Sequence, residues 1–110
     1  MGTFRLYTDK DGQSKIETID IDKANWTKAL PTSSIEFREW PVGRFIDWHP
    51  APRRQFVIIL QGQLEIGLTD GSKHVFGAGD ARLVEDTTGK GHQTRVASSV
   101  PVITATVPLA

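Results

Sequence analysis

The rhythm of its turns constrains this chain most. Glycine, proline and Asp-Gly signals recur about every eight to twelve residues and separate short runs of alternating apolar and polar side chains. A period of two makes one-sided β-strands, and turns this close leave no room for long helices. The pattern therefore predicts an all-β sandwich or barrel. Residues 3–8 read as a strand entering the Asp11-Gly12 turn, with 15–21 as its partner. Asp22 can cap a single short helix over 22–30, ended by Pro31.

From Ile35 onward strand follows strand: 35–40, 43–49, 54–61, 63–69, 73–76, 81–84, 92–97 and 102–107. Alternation places Phe45, Asp47 and His49 on one face of their strand and Ile46 and Trp48 on the other. With that face turned inward, Phe37 and Phe45 are expected inside, and Trp40 and Trp48 outside. Residues 54–61 are apolar on both faces, which predicts a strand covered on both sides. Gln55 opens that strand, and its amide would need partners there. So many short strands in one small unit must deal with their unpaired edges, and a double-sheet jelly roll does so.

A chain of 110 residues is one domain. Thirteen basic residues balance thirteen acidic ones, which leaves no excess of positive charge to hold a phosphate backbone and argues against nucleic acid. The N-terminus has no apolar signal core and the longest apolar run, Phe56 to Leu60, is too short to span a bilayer, so a cytoplasmic protein without a membrane partner is expected. There is no cysteine, and thiolate chemistry is excluded. Any metal or acid–base chemistry falls to His49, His74 and His92 with carboxylates and amides around them. His74, beside Lys73 at a hairpin end, reads as a surface residue.

The stretch from Gly43 to about Arg95 resembles the cupin superfamily. The first cupin motif runs glycine, five residues, His-X-His, three or four residues, Glu, six residues, glycine; here Gly43, His49, Ala51, Gln55 and Gly62 fill that frame at the same spacing. Ala51 stands at the second His position and Gln55 at the Glu position. Gly79-Asp80 matches the opening of the second motif and His92 its histidine, in a segment two residues longer than the pattern and without its Pro; Val96 stands where the motif has Asn. The resemblance implies a single-domain cupin jelly-roll β-barrel over residues 1–110, with N-terminal strands and short helix over 1–34 and the barrel motifs over 43–95.

It further implies that His49, Gln55 and His92 face one cavity, where cupins hold a divalent metal. Carried over by position, the candidate ligands are His49, His92 and Gln55 for one transition metal ion (Fe, Mn, Ni or Zn), or no metal at all. Asp47, and Glu85 and Asp86 before His92, could add negative charge at its edge. His49 and His92 are the candidate catalytic residues, and Gln55, Phe45, Phe37 and Lys90 the candidate substrate contacts. Lys90 lies between Gly89 and Gly91, which let the backbone turn sharply and approach a neighbour closely. Arg53 and Arg54 read as rim or interface residues. Two functions remain open: an enzyme acting on a small organic molecule, acidic ones included, and a non-catalytic, metal-free ligand-binding barrel. A homodimer is expected to cover residues 54–61 and Trp48.

Overall fold

The structure, a computed structural model, describes residues 2–19 and 29–110. Ten strands make up the described fold: β1 (Thr3–Thr8), β2 (Ser14–Thr18), β3 (Glu36–Trp40), β4 (Phe45–His49), β5 (Gln55–Gln61), β6 (Gln63–Gly67), β7 (Lys73–Gly77), β8 (Ala81–Val84), β9 (His92–Val96) and β10 (Val102–Pro108). No helix occurs among the described residues. The helix expected over 22–30 falls on residues outside them, except Ala29 and Leu30, which are irregular.

The strands form a six-stranded sheet in the order β2-β1-β8-β5-β10-β3 and a four-stranded sheet in the order β4-β9-β6-β7. All pairings are antiparallel except that of β1 with β8, which brings Thr3 beside Ala81 and Leu6 beside Val84. Among the described residues no ladder joins an edge of one sheet to an edge of the other. The closed barrel expected from sequence is thus a two-sheet jelly-roll sandwich. Its outermost strands β2, β3, β4 and β7 carry Lys15, Glu36, Glu39, Asp47 and Lys73, charges that discourage further pairing.

The core lies between the sheets. Leu6, Ile59, Leu64, Ile66 and Val102 are 0–1% exposed. Burial of such side chains stabilises by about 1.5–3 kcal/mol each. Phe4 meets Phe76 edge to face, with ring centroids 5.0 Å apart, and links β1 to β7 across the sandwich.

Two sequence expectations fail here for identifiable reasons. Phe37 is 69% and Phe45 48% exposed. In β3 it is the other phase, Glu36, Arg38 and Trp40, that borders the cavity between the sheets, with Glu36 and Arg38 exposed at its edge, and the Trp40 indole donates to Thr104 Oγ1 at 3.2 Å. In β4 the register against β9 shifts between Ile46 and His49, so these two residues reach the same cavity although strict alternation separates them. β5 is also not covered on both sides. Val57 and Ile59 are buried, Phe56 and Ile58 are half-buried, and Leu60 is exposed.

One strand therefore offers an internal control. Ile59→Ala is expected to cost about 2–5 kcal/mol in urea unfolding. Leu60→Ala, one residue away on the solvent side, should stay within about 0.5 kcal/mol.

Candidate functional site

A cavity of about 230 Å³ opens between the sheets. Its floor is apolar, with Ile46, Val57, Leu64 and Val84, and its polar wall carries His49, Gln55, Arg82, His92 and Thr94. The sequence-derived trio His49, Gln55 and His92 thus shares one cavity. His74 lies away from it, bonded to Ser72 Oγ. Phe37, Phe45 and Lys90 do not line it either. The Lys90 ammonium instead sits 4.6 Å from the centre of the Trp48 ring.

His49 and His92 are paired across the first rung of β4 and β9, with ring centroids 4.6 Å apart. Each ring is anchored through Nδ1. That of His49 lies 2.7 Å from the Asp47 backbone oxygen, and that of His92 lies 2.5 Å from Asp86 Oδ2. A carbonyl and a carboxylate can only accept, so both rings donate from Nδ1 and keep the lone pair on Nε2.

Asp86 is fully buried, and its Oδ2 also accepts from Ser14 Oγ at 2.6 Å. Its backbone oxygen accepts from Ala51 N at 2.8 Å, which fixes the turn after His49 to the loop before His92. Gly91 makes the same closure possible. It has φ of 80°, and a Cβ there would overlap the His49 carbonyl. At Gly89 a Cβ would overlap the Gly12 carbonyl, so the two glycines flanking Lys90 serve close backbone approach.

The other acids expected near the site point elsewhere. The Asp47 carboxylate faces solvent and accepts from Gln93 Nε2 at 2.8 Å and Trp48 N at 2.9 Å. The Gln93 bond is the main reason its pKa lies below the ordinary carboxylate range. Glu85 joins Arg5 at 2.6 Å to Arg54 at 2.7 Å. Arg53 reaches Glu36 at 3.1 Å and donates from Nε to Gln55 Oε1 at 3.0 Å.

These bonds decide how well the site suits the metal implied by the resemblance. Among the described residues of the cavity the two imidazole Nε2 atoms are uncommitted, while the one lining carboxylate, Glu36, is paired with Arg53. The Gln55 oxygen already accepts from Arg53, Ala51 supplies a methyl group, and the Asp86 carboxylate is held behind His92. Among the described residues no group of three or more His, Asp or Glu is placed to hold an ion. The same wall carries the Arg82 guanidinium, which would repel a dication. This donor set does not fit a resident divalent metal.

The sequence reading missed Arg82 and the burial of Asp86. Arg82 is 5% exposed, and its Nε and Nη1 have no hydrogen-bond acceptor. Its guanidinium carbon stands 5.1 Å from the centre of the Phe76 ring. The signal was present in the short run Ala-Arg-Leu-Val, where period two puts Arg82 in phase with buried Val84.

No family model and no curated protein matches the chain. Among solved structures, 28 chains do. A Cupin 2 conserved barrel domain protein from Salinispora arenicola is 18% identical over 77% of this chain and 69% of its own, with a TM-score of 0.57. A putative ethanolamine utilization protein Q from Salmonella typhimurium is 17% identical over 100% of this chain and 98% of its own, at 0.51. The cupin domain of Schizosaccharomyces pombe Cnp3 is 12% identical over 100% of this chain and 83% of its own, also at 0.51. The chain has the cupin fold.

Desolvation lowers the His92 pKa below its ordinary 6.5, and the bond to Asp86 only partly opposes this. The unfolded chain then binds the proton more readily than the folded one. The stability contributed by this group is complete above pH 6.5 and is lost as the pH falls from there through the folded pKa. An NMR titration should place the His92 midpoint below 6.5 and, in Asp86→Asn, lower still.

Proposed function

We propose that this cupin-fold chain binds a small organic molecule in the cavity between its sheets without a resident metal. In this reading His49 and His92 face the ligand through Nε2. The observation that carries it is the pair of imidazoles at 4.6 Å, each fixed through Nδ1. A ring held in this way presents a basic nitrogen in a set direction. The depressed His92 pKa keeps that ring neutral at pH 7, so it can take up a proton from a bound ligand. The cavity volume lies below the roughly 300–1,000 Å³ typical of drug-sized ligands, which favours a metabolite-sized one. No helix among the described residues is long and apolar enough to cross a membrane.

Metal analysis of protein purified without a histidine tag or chelator tests the metal-free part. Transition metal well below one equivalent is expected, with no gain in thermal stability on adding Fe, Mn, Ni or Zn. A stoichiometric metal that disappears in His49→Ala and His92→Ala would overturn it.

We also propose that the chain forms a homodimer through the outer face of its larger sheet. Phe37, Ile58 and Leu60 on that face are half-buried or exposed. Light scattering should give twice the chain mass at micromolar concentration, and Leu60→Asp with Phe37→Asp should shift it towards the monomer. A wild-type monomer under those conditions counts against the dimer.

A further inference from the structure

Arg82 is the one strongly buried cation of the cavity wall and takes no part in the proposed role of the histidines. It belongs to β8, in the middle of the larger sheet, and points inward between Phe76 and the cavity. Burial lowers its pKa to about 10, so it stays charged at neutral pH. No carboxylate among the described residues forms an ion pair with it. The acid whose charge it feels, Asp86, has its Oδ2 committed to His92 and Ser14, and its buried Oδ1 makes no hydrogen bond to the guanidinium. A buried guanidinium with two enclosed nitrogens lacking acceptors is costly unless something supplies the missing charge. The cavity as a whole leans the same way. Among the described residues, Arg38, Arg53 and Arg82 line it against a single acid, Glu36, which already pairs with Arg53.

We propose that the ligand of this cavity is a small organic acid, and that Arg82 receives its carboxylate beside His92. The inference rests on the reading that the cavity binds a small molecule, and it assigns the chemical class. Arg82 is a binding residue here. The acid's negative charge compensates the guanidinium, and the rest of the molecule lies on Val57, Val84 and Leu64. Arg82 and His92 line the same cavity wall, which places the imidazole beside the bound carboxylate.

The test uses the full chain and three pairs of probes: propionate and propionamide, succinate and succinamide, benzoate and benzamide. Binding is read from the ring resonances of His49 and His92. At least one acid should bind roughly tenfold or more tightly than its amide, the preference expected of hydrogen bonds to a charged group. Arg82→Met should abolish that preference and, without ligand, melt no lower than the wild type, since it removes an uncompensated buried charge. Arg82→Lys, which keeps the charge, should retain part of the preference, whereas a Met variant that does not fold marks Arg82 as a structural residue and overturns the inference. Equal binding of acids and amides to the wild type overturns the inference while leaving the small-molecule reading in place. If none of the six probes moves either imidazole, both fall. If Arg82→Met folds but melts several degrees lower without ligand, Arg82 is a structural residue and the inference is wrong.

Discussion

One buried oxygen organises this end of the molecule. Asp86 Oδ2 accepts from His92 Nδ1 and from Ser14 Oγ, while the same residue's backbone oxygen receives Ala51 N–H. These bonds join β2, the turn after β4, the loop after β8 and the start of β9, segments drawn from both sheets. Because Asp86 Oδ2 can only accept, its bond to the ring also fixes which nitrogen of His92 carries the proton, while the buried Oδ1 stays without a partner. The direction of the imidazole lone pair follows from that. The geometry of the cavity is thus set from behind, by groups that do not line it.

The two sheets divide the chemistry between them. The smaller sheet brings His49 and His92 side by side at the ends of β4 and β9, and the larger contributes Gln55 and Arg82 from β5 and β8. Facing sheets in a sandwich pack side chain against side chain. Here that packing opens into a cavity where the polar groups converge. The stretch that resembles the first cupin motif has Ala51 and Gln55 where the motif has His and Glu, and the Arg82 guanidinium puts positive charge into the wall of the same cavity.

Much of this was legible in the sequence. The turn signals at Asp11-Gly12, Asp70-Gly71 and Gly79-Asp80 each separate observed strands, and the motif spacing brought His49, Gln55 and His92 to one cavity. What failed was phase. The irregularity between Ile46 and His49 shifts β4 against its partner, and a pattern of alternating letters does not reveal an inserted step. Phe37 was assigned inward by alternation parity; on a strand paired along one side only, the opposite phase turned to the cavity and Trp40 bonds Thr104 there. Asp86 read as a loop acid over the mouth because its partners, Ser14 and His92, are brought to it only by the tertiary fold. Arg82 was overlooked because a single charge in a four-residue strand is ordinarily solvated.

The parallel pairing of β1 with β8 has a consequence for the order in which the molecule is assembled. It joins residues far apart in sequence, so β1 has no neighbour on that side until residues 81–84 have followed it. Contacts of such long sequence separation form slowly, because the entropy of closing the loop is lost before they gain anything. Phe4 on β1 supports Phe76, and Phe76 lies against the Arg82 guanidinium. The support behind the cavity's buried charge is therefore completed only when the first strand docks. A chain stalled short of that step would hold both histidines on their own small sheet and still lack the finished cation wall.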